Sequence, residues 1–237
     1  AWEEQKQVKE IMLFLHEHKV STNLAVKIYK TYGARSLEIV KINPYQLEED
    51  IYGVGFKTAD RIAQKLGLPQ EHPSRVEAGI VYAINDMINE GHVYSPINEL
   101  TKRAIELLDV DAELINTGVE RLITHDRVRK ELITSTAPGL SETNLKIAEH
   151  PMPYGEQIIY LSPFYYSEIG VANSIQGLLS HKPEPVQSVL FYESENLSTE
   201  QKRGLETALS NAVSVLTGGP GTGKTTCLKA LIRLFEV

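Results

Sequence analysis

The 237-residue chain has one cysteine, Cys227. No intrachain disulfide or thiolate-only metal site can form, and a reducing compartment suits such a chain. No apolar run approaches the roughly 20 residues that span a bilayer. No basic leader followed by an apolar stretch opens the sequence, so no secretion signal is read and a cytoplasmic location is expected. Positive charge is not in excess either. Lys plus Arg number 24 and Asp plus Glu 31, for a net charge of -7. That excludes a nucleic-acid module working by bulk positive charge, although a whole-chain sum can hide a local binding face. The seven histidines are scattered and form no metal-ligand pattern. The composition is otherwise ordinary, with 42% hydrophobic residues, which argues against collagen, fibre or wholesale disorder. The length suffices for a real core and for more than one domain.

Residues 1–67 are the least acidic third and read as helical. Val8, Ile11, Met12 and Leu15 form one apolar stripe and Leu24, Ile28 and Tyr32 a second. Pro44 opens a short third helix, and Ile62, Ala63 and Leu66 line a fourth with Gly67 as its cap. An internal repeat underlies these helices. Leu24, Ala25, Ile28 and Gly33 recur as Thr58, Ala59, Ile62 and Gly67 at one fixed offset, and Val8 and Leu13 pair with Ile42 and Leu47. Each unit reads as helix, tight turn, helix ending in Gly, and two units bury their apolar faces better than one. Residues 68–161 follow with helices over 76–90, from 97 or 99 to 108, and over 111–123 with Asp111 as N-cap, then strands over 128–133 and 157–161. That order is winged-helix-like. Residues 162–192 read as a helix over 163–180 and a polar connector after Gly177. Pro138, Gly139, Pro151 to Gly155, Pro183 and Pro185 mark loops.

The strongest chemical signal is Gly218-Gly219-Pro220-Gly221-Thr222-Gly223-Lys224-Thr225, which satisfies the phosphate-binding pattern G-x-x-x-x-G-K-[ST] in full. Before it, residues 212–216 read as a buried parallel strand. After it, Leu228, Leu231, Ile232 and Phe235 share one helical face. The glycines let backbone N–H groups converge on phosphate oxygens, and the helix N-terminus favours the anion. Lys224 is placed to reach the β and γ phosphates of ATP, and Thr225 to offer its hydroxyl to Mg²⁺. A P-loop enzyme also needs an acidic Mg²⁺ partner on a later strand. None follows, so residues 193–237 read as the incomplete start of a P-loop α/β domain in a longer protein. Gln201, within Leu197-Ser198-Thr199-Glu200-Gln201-Lys202, has the donor and acceptor needed to read an adenine edge.

The second signal is Ile51-Tyr52-Gly53-Val54-Gly55-Phe56-Lys57-Thr58-Ala59-Asp60. Gly53 and Gly55 bracket Val54 between two helices, so amides at the second helix's start can hold a DNA phosphate whatever the base. Lys57, Arg61 and Lys65 share one stripe beside that turn and can add salt-sensitive contacts, with Thr58 in the same first turn. The first repeat has Lys19-Val20-Ser21 instead, and is expected to bind weakly or only to buttress the other. Arg127, Arg129 and Lys130 near the wing suit a sugar–phosphate contact and a solvated edge equally well.

Paired hairpins, a winged-helix-like stretch, a Gln-containing lead-in and GGPGTGKTT resemble, in that order, the RecD-type helicases of superfamily 1B, in particular the RecD2 group. The sharpest matches are Asn43-Pro44-Tyr45, residues 53–60, Gly91-His92-Val93-Tyr94 and residues 218–226. The resemblance implies a mainly α fold of tandem helix-hairpin-helix repeats, a winged-helix-like segment and the first strand-loop-helix of a P-loop domain. It implies ATP-driven 5′-to-3′ movement on single-stranded or fork DNA. It also implies Gln201 as the adenine reader and Thr226 as a further nucleotide-loop residue. The family's later motifs and the β domain often preceding its hairpins are not found. This piece alone is expected to be inactive. Two other readings stand beside it: a non-motor DNA-binding protein with a P-loop kept for binding or structure, and a protein-interaction scaffold.

Overall fold

The computed structural model describes residues 2–17, 20–133, 155–181 and 197–235, and divides into units 1–165 and 166–237. In the first unit, α1 (Trp2–Glu17), α2 (Thr22–Tyr32), a 3₁₀ turn (Gly33–Arg35), α3 (Ser36–Ile42), α4 (Gln46–Asp50) and α5 (Phe56–Lys65) form the hairpin region. The repeat is real in three dimensions. Val20 and Val54, Ala25 beside Ile28, and Ile62 lie in or against one buried cluster with Ile11, Val40, Leu47 and Ile51. The pairs Val20 and Val54, and Ile28 and Ile62, thus meet in one cluster, whereas Ala59 packs in a second cluster and Leu13 and Ile42 are exposed. Both units end on glycine with positive φ, Gly33 at 58° and Gly67 at 76°. At Gly67 this lets the Leu68 N–H reach back to the Ala63 carbonyl at 3.0 Å. The short helix after Pro44 begins two residues later than that proline suggests. The Leu15 side chain lies outside the described set.

Next come α6 (Pro73–Asn89), β1 (Ser95–Pro96), α7 (Ile97–Leu108), α8 (Ala112–Thr124), β2 (Val128–Leu132) and β3 (Gln157–Leu161). The strands form an antiparallel sheet in the order β1-β3-β2, with Lys130 opposite Ile159 and Ser95 on its other side. Helix, short strand, two helices and two strands is a winged-helix-like arrangement. β1 is invisible in the sequence because two residues, one of them proline, carry no alternation. Asp111 stands at the N-cap of α8, but its side chain makes no capping bond. Glycines allow the helices to close: a Cβ on Gly79 would fall 2.5 Å from the Leu108 side chain, and one on Gly118 would fall 2.7 Å from Ile80. Tyr45, Phe56, Ala59 and Ala63 of the hairpin region belong to the same cluster as Val76, Ile80, Leu100, Leu108 and Leu122. The second hairpin is therefore built onto the winged region.

α9 (Ser162–Leu179) follows, running through Gly177 rather than ending there. In the second unit, α10 (Thr199–Ser210) and α11 (Lys224–Phe235) pack together, with Leu205 and Cys227 buried. Residues 212–216 do not form the expected buried strand. They carry no strand pairing, and Val215 is 88% exposed. A parallel strand exists only through hydrogen bonds to neighbours, and the described residues supply none here. Leu228 and Ile232 are likewise about half exposed, while Leu231 is partly covered. The Phe235 side chain and the expected loops over 138–139, 151–154 and 183–185 lie outside the described residues.

Candidate nucleic-acid and nucleotide sites

At the second hairpin, Ile51 and Val54 are buried on either side of the turn, and the Val54 N–H donates to the Ile51 carbonyl at 3.0 Å. Gly53 turns the chain with φ 86°, where a side chain would be strained. Gly55 is the N-cap of α5 in an extended conformation and brings no capping side chain. Among the described residues the N–H groups of Gly53, Gly55 and Lys57 find no partner, while Thr58 N–H bonds the Gly55 carbonyl at 2.9 Å. The first hairpin differs at the equivalent position. Ser21 caps α2 through its own hydroxyl, which accepts from the Leu24 N–H. The serine thus satisfies one helix-start N–H with its side chain, where Gly55 has none to offer.

Charge sorts the same way. Arg127 pairs with Glu49, Arg129 with Asp126 and Lys130 with Glu120. The basic residues near the wing are thus neutralised within the fold. Lys57, Arg61 and Lys65 are exposed and make no ion pair among the described residues, Lys57 lying 5.6 Å over the Tyr82 ring. Thr58 is half-buried beside them. A fourth cation comes from the first repeat: Lys27 Nζ donates to the Tyr52 carbonyl at 3.1 Å. Sequence reading missed Lys27 because only the packing of α2 against the second turn brings it there. It missed Glu48 too. That half-buried carboxylate accepts the Phe56 N–H at the start of α5, and burial raises its pKa, opposed by Arg127.

At the other site, residues 218–223 form an irregular loop ahead of α11, with Gly221 and Gly223 at φ 76° and 85°. A Cβ on Gly218 would fall 2.8 Å from Thr222 Oγ1, and one on Gly223 would fall 2.1 Å from Gln201 Nε2. Gly223 is therefore constrained by space and by φ, Gly221 by φ alone and Gly218 by space alone. Pro220 and Gly219 complete the turn, and the Thr222 hydroxyl donates to the Gly219 carbonyl at 2.9 Å. Lys224 Nζ folds over the loop, donating to the Gly218 and Gly219 carbonyls at 2.6 and 2.7 Å. Thr225 and Thr226 are exposed in the first turn. Gln201 is fixed at both ends of its amide. Its Oε1 accepts the Ser198 N–H at 2.9 Å, and its Nε2 donates to the Thr222 carbonyl at 3.2 Å. One N–H and one lone pair remain. These residues fit a nucleotide phosphate with Mg²⁺: a glycine cradle, a lysine using surrogate oxygens and an exposed hydroxyl.

A family model described as the ATP-dependent RecD2 DNA helicase HHH domain matches residues 4–94, and one described as an AAA domain matches residues 201–237. Together these matches support a RecD-like helicase N-terminal region. Along its whole length the chain is 28% identical to an ATP-dependent RecD2 DNA helicase of Deinococcus radiodurans, covering 32% of that protein. Over 82 residues it is 39% identical to the RecBCD enzyme subunit RecD of Mycobacterium tuberculosis, 34% of this chain and 14% of the subunit. The chain therefore spans about a third or less of the relatives it matches. The helicase-domain model takes in the second hairpin and the AAA-domain model takes in the glycine loop. No described helix is long and apolar enough to cross a membrane.

Proposed function

We propose that this chain is the N-terminal part of an ATP-dependent, cytoplasmic DNA helicase moving 5′-to-3′ on single-stranded or fork DNA. The second hairpin grips the sugar–phosphate backbone through Gly53, Val54 and Gly55, with Lys57, Thr58 and Arg61 beside it. Residues 218–226 and Gln201 hold ATP, and Thr225 offers its hydroxyl to Mg²⁺. One observation carries the DNA contact: among the described residues, amides and cations are left unpartnered at the second hairpin, while Arg127, Arg129 and Lys130 are each paired. A phosphate satisfies both at once and carries no base identity, so binding is sequence-independent. The polarity rests on the resemblance to RecD-type enzymes alone.

Bound ATP with Mg²⁺ supplies the phosphoanhydride whose hydrolysis drives movement. The chain's own part is to position it. Lys224 exchanges two carbonyl acceptors for phosphate oxygens, a stronger charge-assisted pairing. Gln201 stays locked by its cap and keeps one donor and one acceptor for an adenine edge. No acid among the described residues bonds Thr225 or Lys224, so this chain alone is expected to hydrolyse no ATP.

The hairpin is tested by Gly53→Val with Gly55→Val. DNA affinity is expected to fall about tenfold or more on every sequence tried. Lys57→Ala with Arg61→Ala leaves the backbone untouched and is expected to lower affinity while flattening its salt dependence by about one unit of slope per lost contact. Fluorescence anisotropy reads both, and circular dichroism checks folding. Undiminished affinity in the two variants would leave the hairpins a packing role only.

Glu48 adds a pH signature. Its folded pKa lies above the unfolded one, so the ionised form is the costly one. Stability falls as pH rises from the unfolded to the folded pKa. The same ionised carboxylate repels a phosphate at the start of α5. Glu48→Gln is expected to tighten DNA binding about two- to fivefold at neutral pH, a surface-scale Coulomb effect. The wild type should converge on the variant as pH falls below Glu48's raised pKa. A constant ratio across pH would contradict this role.

A further inference from the structure

Tyr52 stands at the tip of the second hairpin with 98% of its surface exposed, more than any other large apolar or aromatic residue of the described set. Its backbone is held firmly. Ile51 and Val54 anchor the turn in the core, Gly53 fixes its direction, and Lys27 Nζ binds the Tyr52 carbonyl at 3.1 Å. An exposed aromatic ring on a fixed backbone therefore stands beside unpartnered amides and the cations Lys27, Lys57 and Arg61, which make no ion pair among the described residues.

We infer that Tyr52 is a stacking platform for an unpaired nucleobase, with Lys27 fixing the tip that presents it. This rests on the DNA-contact reading of the second hairpin. Phosphate contacts at Gly53 and Gly55 cannot tell single strands from duplex. A ring face can, because bases in a duplex are already stacked and only a splayed base has a free face. Every base has such a face, so the preference for unpaired DNA is sequence-tolerant. The hydroxyl is not needed for stacking, so phenylalanine should serve as well as tyrosine. The ring is fully exposed, and its removal takes nothing from the core.

The test uses the full 237-residue chain and three probes of equal length: a single-stranded oligonucleotide, the same strand made abasic throughout, and a blunt duplex. Tyr52→Ala is expected to weaken binding of the base-bearing single strand about tenfold. It should leave the abasic strand and the duplex within about twofold, and Tyr52→Phe should bind as wild type. Lys27→Gln should show a smaller loss with the same single-strand bias. If Tyr52→Ala changes all three probes alike, or none, the stacking role is wrong. The Lys57→Ala, Arg61→Ala variant separates that failure from a failure of the underlying reading. If it weakens all three probes while Tyr52→Ala weakens none, the hairpin grips DNA without a platform. If neither variant matters, the hairpin does not contact DNA.

Discussion

Replacing Lys224 by alanine in the full-length protein is expected to lower its ATPase rate by at least about a hundredfold. The magnitude follows from what the side chain does. Its ammonium sits over the glycine loop and bonds the Gly218 and Gly219 carbonyl oxygens, which phosphate oxygens replace in the proposed site. In the reaction such a donor faces charge that develops in the transition state, and losing one preorganised donor typically costs two to three orders of magnitude. The loop itself should survive, because its shape is set by Gly221, Gly223 and the Gln201–Thr222 bond, none of which needs Lys224. Steady-state hydrolysis beside a nucleotide-binding titration separates lost chemistry from lost loop. An unaltered rate would mean that residues 218–225 are not the phosphate site.

Asp60→Ala is expected to cost about 3–5 kcal/mol of folding stability. The Arg75 side chain is 6% exposed and Asp60 13%, and their contact measures 2.8 Å. Asp60 also accepts from the Tyr45 hydroxyl at 2.7 Å and from Gln64 at 2.9 Å, while Arg75 reaches the Gln70 and Leu108 carbonyls. This network ties α5 of the second hairpin to α6 and to the end of α7. Removing the carboxylate leaves a buried guanidinium without its counter-charge, which is the expensive case. Burial, then the Asp60 bond, drives the Tyr45 phenol far above its ordinary range, so its proton stays on the network. Asp60→Ala with Arg75→Met should recover most of the loss, since no buried charge then remains. Urea melts of the two single variants and the double would read this as a coupling. A loss below about 1 kcal/mol in Asp60→Ala, the scale of a surface pair, would contradict it.

Where local chemistry dictates structure, the sequence was readable. The repeat was legible because glycine ends helices and Ala25 and Ala59 are buried at matching positions. The glycine loop was legible because its pattern has few other uses. What escaped was non-local. Residues 212–216 have the apolar content of a buried strand, but a strand is defined by its neighbours, and Val215 lies in water without them. Lys27 and Glu48 became part of the hairpin site only through packing of α2 and α4 against it. Sequence could not decide between a DNA role and a solvated edge for Arg127, Arg129 and Lys130. Their acidic partners lie 78, 3 and 10 residues away, and only the fold brings all three pairs together.

The most direct test of the whole reading is the ATPase rate of the full-length protein titrated with single-stranded DNA. The account predicts a rate that rises with DNA. In the Lys57→Ala, Arg61→Ala variant the half-saturating DNA concentration should move up about tenfold at an unchanged plateau. Hydrolysis that proceeds equally with and without DNA, or a titration curve that the variant leaves in place, would contradict it.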